Sequence, residues 1–219
     1  MPTYDRFELL KEAVQSILSQ TYDNWELIIK DADISGEYAE YFTKLDNRII
    51  YMYGRDKGIT DAVIRASKIA NGDVILWFND DDLLLPDTLE FVANNMGDAK
   101  WCYGDVMQIN KDGFDIGIMG YRDYSYEALK QNNFIPQPAV FVRKDMFDFV
   151  GGFSNDVGTV SDYDLWLKLG QYNEPKYFNR FFAKYRIHNE QGTIKNSQEQ
   201  QESAQKVKDK FKDVKAVYE

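Results

Sequence analysis

The sequence predicts an α/β protein with a mainly parallel central sheet flanked by helices in its first half, and a mixed α+β second half. In the first half, the short apolar runs WELIIKD, RIIYMYG and DVILWFN alternate with helical patterns. Buried parallel strands joined by crossover helices produce this alternation. In the second half, the pattern changes to hairpin and strand–helix signals.

The first half supplies its elements in a regular order. Apolar residues at helical spacing predict an amphipathic helix from Asp5 to Gln20, with Asp5 and Glu8 as a capping box. WELIIKD follows as a strand buried on both faces, and RIIYMYG is a second strand candidate. Thr60 opens a second helix that we expect to end on Gly72, and DVILWFN is the third strand.

The second half contains fewer regular signals. Pro86 suits the first turn of a helix. WCYGDVMQINKDGFDIGIMG predicts a hairpin that turns at Lys111, Asp112 and Gly113, and PAVFVRKDMFDFVGGF predicts a strand followed by a short helix. From Ser197 onward the chain is rich in Gln, Lys and Glu, which predicts a solvated helix.

The bulk composition argues against several classes of protein. A chain of 219 residues with 44% hydrophobic and 28% charged residues is typical of a soluble globular domain. It has no run near the roughly 20 apolar residues of a membrane span and no secretory signal pattern, so we expect a cytoplasmic protein. Cys102 is the single cysteine. The formal net charge of −10 argues against nonspecific binding to nucleic acid or anionic lipid.

Three carboxylates in a row, Asp80, Asp81 and Asp82, end the third predicted strand. Asp31 ends the first, and ligands of parallel sheets bind beyond such strand ends. A turn or cap explains any one Asp, but adjacent like charges cost energy unless a cation lies among them. A divalent ion bound by one or two carboxylates and by substrate phosphates explains the cluster. The spacing of an EF-hand is missing.

A second acidic feature is VSDYDLWLKLG. If Ser161 caps a helix there, Asp162 shares the core-facing side with Leu165 and Trp166, and Asp164 lies roughly 200° away round the helix. An Asp in the first turn stabilises the helix N-terminus. Near a metal-bound phosphate the same carboxylate acts as a general base.

The only histidine, His188, follows Arg186 directly after a strand pattern in YRIHNEQGT. A lone histidine is more often structural than a ligand. This pair can also contact phosphate or a metal, and the residues alone leave both interpretations open.

Three ordered segments resemble family 2 glycosyltransferases of the GT-A (Rossmann-like nucleotide-diphospho-sugar transferase) fold. They are PTYDRFELLKEAVQSILSQTYDNWELIIKD, RDKGITDAVIRASKIANGDVILWFNDDDLLLPDTL with its DXD-like element, and IPQPAVFVRKDMFDFVGGFSNDVGTVSDYDLWLKLG. The resemblance implies an inverting transfer from a UDP-sugar donor to a hydroxyl of a glycan or glycolipid acceptor, in polysaccharide biosynthesis. It also implies a Mn²⁺ or Mg²⁺ cofactor and allows peripheral association with a membrane.

Carried over position by position, the resemblance assigns roles to individual residues. Asp162 matches the catalytic base. Asp81 matches the metal-binding carboxylate, Asp80 lies on its ribose or metal side, and His188 is a further metal contact. The other matching positions belong to the donor-nucleotide pocket or lie near the diphosphate: Pro2, Thr3, Tyr4, Arg6, Asp31, Asp33, Asp56, Lys57, Asp61 and Arg186.

The same resemblance organises the chain as one domain over residues 1–190 with a charged helical tail over residues 191–219. Residues 1–100 form the nucleotide-sugar and metal half, and residues 101–190 form the acceptor half. In the acceptor half, four aromatic residues are candidates for either the core or sugar platforms: Tyr103, Tyr121, Tyr124 and Phe134.

Three departures from the family pattern keep an alternative open. The family has a strand before its Pro-Thr-Tyr, so the resemblance implies that this innermost strand is lost or that the native chain starts elsewhere. Ala32 replaces the usual glycine, and Ser161 replaces the acidic neighbour of the base. The alternative is a noncatalytic nucleotide-sugar-binding module, either a pseudoenzyme or a part of a larger transferase. A nucleotidyltransferase fits less well, because a Gly-rich, Arg-containing loop near the N-terminus is missing.

Overall fold

A computed structural model describes residues 1–120, 124–188, 191 and 197–218 and confirms the α/β class. The helices are α1 (Phe7–Leu18), α2 (Ala39–Leu45), α3 (Ile59–Ser67), α4 (Thr88–Asn95), α5 (Tyr126–Gln131), α6 (Lys144–Phe149), α7 (Ser161–Tyr172) and α8 (Ser197–Phe211). The strands are β1 (Pro2–Thr3), β2 (Leu27–Asp31), β3 (Ile49–Tyr53), β4 (Val74–Ile75), β5 (Leu83–Leu84), β6 (Trp101–Asn110), β7 (Asp115–Met119), β8 (Val140–Arg143) and β9 (Lys176–Ile187).

The strands form two sheets. In the first, β1, β2 and β3 are parallel, with Thr3 opposite Asp31 and Asp31 opposite Tyr53. The second has the order β4-β8-β6-β9-β5, with β7 on β6, and mixes parallel and antiparallel pairs. The carboxyl ends of β1, β2 and β3 therefore lie together, as the sequence predicts for a ligand site.

The third predicted strand, DVILWFN, differs from the prediction. It contributes only Val74 and Ile75, which pair antiparallel with β8 rather than extending the parallel sheet. A cavity of about 640 Å³ lies between the sheets, with Leu27 and Ile28 of β2 among its lining residues together with the segment from Val74 to Phe78.

Helix α1 confirms the predicted amphipathic pattern, but two predicted helix ends are wrong. Asp5 has a φ of 51° and is not the N-cap, because α1 begins at Phe7 without a side-chain cap. Helix α3 ends at Ser67 rather than at Gly72. The Glu26 carboxylate accepts the backbone N–H of Gly72 at 2.8 Å and so holds this residue in a loop.

The second half contains the predicted hairpin and strand–helix unit. Strands β6 and β7 are joined by a turn at Lys111 to Gly113, where Gly113 has a φ of 87°, a conformation that glycine adopts without strain. Strand β6 lies between β8 and β9 in the second sheet. Its Trp101 stacks on Trp166 of α7, with 6.0 Å between the ring centroids. The larger core thus forms around these two rings.

Helix α7 corrects the predicted orientation of its aspartates. Asp164 is fully buried (0% exposed) and pairs with Lys168 at 2.7 Å and with Lys210 of α8 at 2.6 Å. Burial raises the pKa of Asp164, but the hydrogen bonds from Lys168, Lys210 and Ser154 outweigh it, so the pKa is lowered. Asp162, expected on the core-facing side, is half-buried instead. The prediction failed because α8 covers the side of α7 that was expected to face solvent.

Helix α8 is present at the predicted position and is packed rather than solvated on all sides. Val207 is 0% exposed and Phe211 4% exposed, and both join the core around α7. Within the described ranges, every helix is too short or too polar to cross a membrane.

Candidate active site

A cavity of about 920 Å³ brings together many of the residues that the sequence singles out. Its volume lies in the usual range for small-molecule sites. Eight of the predicted site residues line it: Pro2, Thr3, Tyr4, Arg6, Asp56, Asp80, Asp81 and Asp162.

Two turns position these side chains. After β1, Asp5 adopts a left-handed conformation, and the chain presents Tyr4 and Arg6 to the cavity before α1 begins. After β4, an extended segment ends in residues Asp80–Asp82, here named the acidic turn. The first turn follows the parallel strand β1, at the end of the sheet where such sheets bind ligands, and the acidic turn shares the cavity with it.

Two nitrogen-containing side chains, Arg6 and His188, contact the acidic turn. Arg6 Nη1 lies 3.4 Å from Asp80 Oδ1 and 3.1 Å from Asp81 Oδ2. His188 Nε2 lies 3.0 Å from the same Oδ2 of Asp81. The exposed fractions of Asp80 and Asp81 are only 5% and 6%. Two groups from distant parts of the sequence therefore converge on one carboxylate oxygen.

Crowding and burial raise the pKa values of the other two acids. Burial, followed by the negative charge of Asp81, raises the pKa of Asp80 to about 6. Burial also raises the pKa of Asp82 well above its ordinary value. Asp82 Oδ1 accepts the backbone N–H of Arg186 at 3.0 Å, whereas Oδ2 has no hydrogen-bond partner in the part of the chain that the structure describes. A bound cation would relieve this repulsion.

Arg186 lies behind the acidic turn rather than on the cavity wall. Its side chain is 3% exposed and pairs with Glu12 of α1 at 2.6 Å. Its Nε donates to the carbonyl oxygen of Asp81 and its Nη1 to that of Lys111, each at 2.9 Å. The family resemblance placed this arginine near the diphosphate, and in the structure its guanidinium supports the backbone of the acidic turn.

Asp162 faces the cavity from the first turn of α7. Asn133 Nδ2 donates a hydrogen bond to its Oδ2 at 3.3 Å. Burial raises the pKa of Asp162 to about 6, and the bonds from the Tyr163 backbone N–H and from Asn133 act in the opposite direction. A carboxylate whose pKa lies near neutrality is well matched to proton transfer.

A hydrogen-bond network connects the segment just before the acidic turn with Gln137, in the short turn before β8. Trp77 Nε1 donates to Asn79 Oδ1 at 2.8 Å, and Asn79 Nδ2 donates to Gln137 Oε1 at 3.0 Å. Gln137 Nε2 in turn donates to the carbonyl oxygen of Trp77. The three side chains line the cavity, so they hold its wall in one arrangement.

The remaining predicted donor residues lie beside the cavity rather than on it. Asp31 accepts the Tyr51 hydroxyl at 2.6 Å and the backbone N–H of Asp33 at 2.9 Å. A hydrogen bond with Ser35 lowers the pKa of Asp33.

The predicted segment before α3 is held by hydrogen bonds within the protein. The Lys57 backbone N–H donates to Asp61 Oδ2 at 3.0 Å, which lowers the pKa of Asp61. Buried Lys30 Nζ lies 3.2 Å from Asp56 Oδ2. Asp56 is therefore the member of this segment that is both cavity-lining and fixed from behind.

The acidic turn meets the requirements of a divalent cation only in part. Among the described residues, no three His, Cys, Asp or Glu side chains form a ready metal site. Asp81 and His188 offer an oxygen and a nitrogen 3.0 Å apart, next to the crowded Asp80. Sites for ions on diphosphates commonly use one or two carboxylates and complete their shell with phosphate oxygens, so these residues fit such an ion.

Sequence reasoning missed Asn133 and Gln137 as cavity residues. The amides in QNNFIPQPAV were the available signal. Of the four aromatic candidates, Tyr103 is fully buried in the core, Tyr124 packs on Trp101 at 5.9 Å, and Phe134 lines the cavity. Tyr121 lies outside the described residues.

Comparison with known proteins gives one family. The model of glycosyl transferase family 2 matches residues 1–151. An Escherichia coli UDP-Glc:alpha-D-GlcNAc-diphosphoundecaprenol beta-1,3-glucosyltransferase is 26% identical over 85% of this chain and 75% of its own length. A glycosyltransferase of PGL/p-HBAD biosynthesis from Mycobacterium bovis is 27% identical over 90% of this chain and 78% of its own length.

Other relatives are longer. A Rickettsia felis protein described as an uncharacterized glycosyltransferase is 25% identical over 92% of this chain, which spans 36% of its length. This chain thus corresponds to about a third of that relative.

Two solved structures share the fold. A mannosyltransferase from Pyrobaculum calidifontis, in complex with GDP-Man and Mn²⁺, has a TM-score of 0.72 at 17% identity, over 99% of this chain and 64% of that one. TarS from S. aureus, in complex with UDP-GlcNAc, has a TM-score of 0.71 at 14% identity, over 87% and 58%. These likenesses confirm the predicted GT-A fold.

Proposed function

The chain belongs to glycosyl transferase family 2, and from this premise we propose that it transfers a sugar from a UDP-sugar to an acceptor hydroxyl with inversion at the anomeric carbon. The observation that carries the proposal is that one cavity joins the acidic turn to Asp162. In this proposal the acidic turn, with a metal ion, meets the diphosphate of the donor. The Asp162 carboxylate accepts a proton from the acceptor.

The acidic turn and the residues around it are assigned to the donor. Pro2, Thr3, Tyr4, Arg6 and Asp56 line the cavity, and we assign this part of it to the nucleotide. Arg6 offers a guanidinium, which suits a diphosphate. This positive charge would offset part of the repulsion between the acidic turn and an anionic ligand.

Asp81 is assigned to the metal, with His188 and Asp80 beside it. When bound, Mn²⁺ or Mg²⁺ supplies positive charge that offsets the charge of the diphosphate and of the leaving UDP. Arg6 and His188 both contact the same carboxylate oxygen of Asp81, Oδ2. We infer that these two groups separate from Asp81 when donor and ion bind.

Asp162 is assigned as the general base. Its carboxylate takes the proton of the acceptor hydroxyl while that oxygen forms a bond to the anomeric carbon. The bond from the anomeric carbon to the UDP oxygen breaks on the opposite face, and UDP leaves with the electron pair. Because the hydroxyl attacks in a single displacement from the face opposite the leaving UDP, the configuration of the anomeric carbon is inverted.

The acceptor is assigned to the second half of the chain, and a glycan or glycolipid is the proposed class. The name of the Escherichia coli relative gives a diphosphoundecaprenol acceptor, which supports a lipid-linked one. The experiment for the proposed function is a measurement of UDP release from a panel of UDP-sugars with Mn²⁺. Release that depends on the metal supports an enzyme, whereas binding without release supports the noncatalytic alternative.

Removing the amide of Asn133 is expected to shift the pH dependence of transfer. Asp162 must be ionised to act as a base, so activity falls as pH drops through its pKa of about 6. Asn133 donates to this carboxylate and so favours the ionised form. In Asn133→Ala the pKa should rise, and the acid limb of kcat/KM should move up by about 0.5–1 pH unit.

The control for this shift is Gln131→Ala, which changes an exposed amide two residues away. Its pH profile should match that of the wild type. An unchanged acid limb in Asn133→Ala would show that the group titrating in the profile is not held by Asn133.

A further inference from the structure

The hairpin of β6 and β7 carries exposed apolar side chains that the active site does not use. Phe114 and Ile118 are each 70% exposed, and Ile116 is 54% exposed. Strand β7 pairs with β6 alone in the part of the sheet that the structure describes. Edge strands commonly carry charged residues, so three large apolar side chains within five residues indicate a contact surface.

We name three side chains of this hairpin the apolar tip: Phe114, Ile116 and Ile118. The charges around this tip argue against an anionic partner. Lys184 pairs with Asp115 at 3.3 Å, and Lys111 lies 3.4 Å from Asp112. Each of these lysines is therefore matched by an acid, and the chain has a net charge of −10. A partner would be held by apolar contact rather than by attraction to positive charge.

The hairpin is also connected to the active site. Met119, the last residue of β7, lines the 920 Å³ cavity. At the turn of the hairpin, the carbonyl oxygen of Lys111 accepts a hydrogen bond from Arg186, which holds the backbone of Asp81. Whatever covers the apolar tip therefore contacts the hairpin that contributes Met119 to the cavity wall.

We propose that Phe114, Ile116 and Ile118 insert into the surface of a lipid bilayer and so present the cavity to acceptors carried by that bilayer. The placement of the acceptor rests on the proposed function. A second copy of the chain is less suited to the tip, because its exposed apolar surface consists of only these three side chains. A stable dimer buries about 800 Å² on each partner. Shallow insertion of a few apolar groups needs no such area.

The test is flotation of the full chain with phosphatidylcholine vesicles, without nucleotide or acceptor. The wild type should float with the vesicles, and the double variant Phe114→Asp, Ile118→Asp should partition at least ~10-fold more weakly, since each substitution places a charge where an apolar group was buried. Salt at 1 M should leave the binding unchanged, because apolar insertion is not screened.

The matched control is Phe149→Asp, because Phe149 is also an aromatic residue with 66% exposure, but it lies on α6. It should float like the wild type. The proposal is overturned if the wild type stays off the vesicles, if the double variant floats equally well, or if light scattering shows a wild-type dimer that the double variant dissociates.

Calorimetry with UDP and Mn²⁺ in the absence of vesicles separates this proposal from the proposed function. The double variant should bind UDP like the wild type, because its changes lie outside the donor residues. If the wild type binds vesicles but not UDP, the proposed membrane-binding surface stands and the donor assignment is contradicted. Loss of UDP binding in the double variant alone would overturn the proposal, since the tip would then support the site rather than a bilayer.

Discussion

Replacing Asp162 with asparagine is expected to reduce sugar transfer by about 10²–10⁴-fold, the usual contribution of a positioned base. The amide keeps the shape of the side chain but cannot take a proton. Asp162 lies on α7, apart from the acidic turn, so UDP-sugar affinity should remain nearly that of the wild type. Single-turnover rates and calorimetry on the same preparation separate the two effects.

Asp156→Asn serves as the control for this experiment. Asp156 is an exposed aspartate in the loop before α7, and its replacement should change neither rate nor affinity. Near-wild-type transfer by Asp162→Asn would remove this residue from the role of base. A parallel loss of donor binding would place it on the donor side instead.

Replacing Asp81 with alanine is expected to abolish the part of UDP binding that depends on Mn²⁺. Asp81 faces the cavity and has the carboxylate oxygen on which Arg6 and His188 converge. If Asp81 is a metal ligand, as proposed, its removal should weaken the site by more than the 10–100-fold typical of residues that only support ligands. Titrations of UDP with and without Mn²⁺ should therefore differ in the wild type and coincide in the variant.

Asp98→Ala is the matched control, because Asp98 is an exposed aspartate beyond α4. It should keep the full effect of Mn²⁺. If Asp81→Ala also keeps that effect, the metal is held elsewhere. A thermal melt of each variant checks that the protein still folds. It is run without ligand because a bound ligand raises apparent stability.

Much of the site follows from local sequence pattern. The apolar runs predicted β2 and β3, and the three acids at the end of an apolar run predicted the acidic turn. Adjacent carboxylates needed a partner on electrostatic grounds, and the structure provides Arg6 and His188 from positions 74 residues before Asp80 and 107 residues beyond Asp81. Such partners are set by the fold, so spacing along the sequence did not identify them. Only the family resemblance singles out Arg6, whereas His188 also stands out as the single histidine.

Other features depend on tertiary contacts that no local pattern records. Helical periodicity placed Asp164 on the outside of α7, but α8 covers that side and supplies Lys210. Asn133 became visible only when the loop before β8 was seen to reach Asp162. Arg186 matched a family position near the diphosphate, yet its guanidinium is used inside the protein.

The central claim is that this chain activates a UDP-sugar for transfer, and the most direct test is UDP release with Mn²⁺ in the absence of acceptor. Water then takes the place of the acceptor hydroxyl. UDP-glucose, UDP-GlcNAc and, for comparison, GDP-mannose are incubated with the protein, and free nucleotide is measured over time. We expect slow release of UDP from at least one UDP-sugar, and we expect a chelator to stop it. Tight binding of a UDP-sugar with no release of UDP, or release from GDP-mannose alone, would contradict the claim.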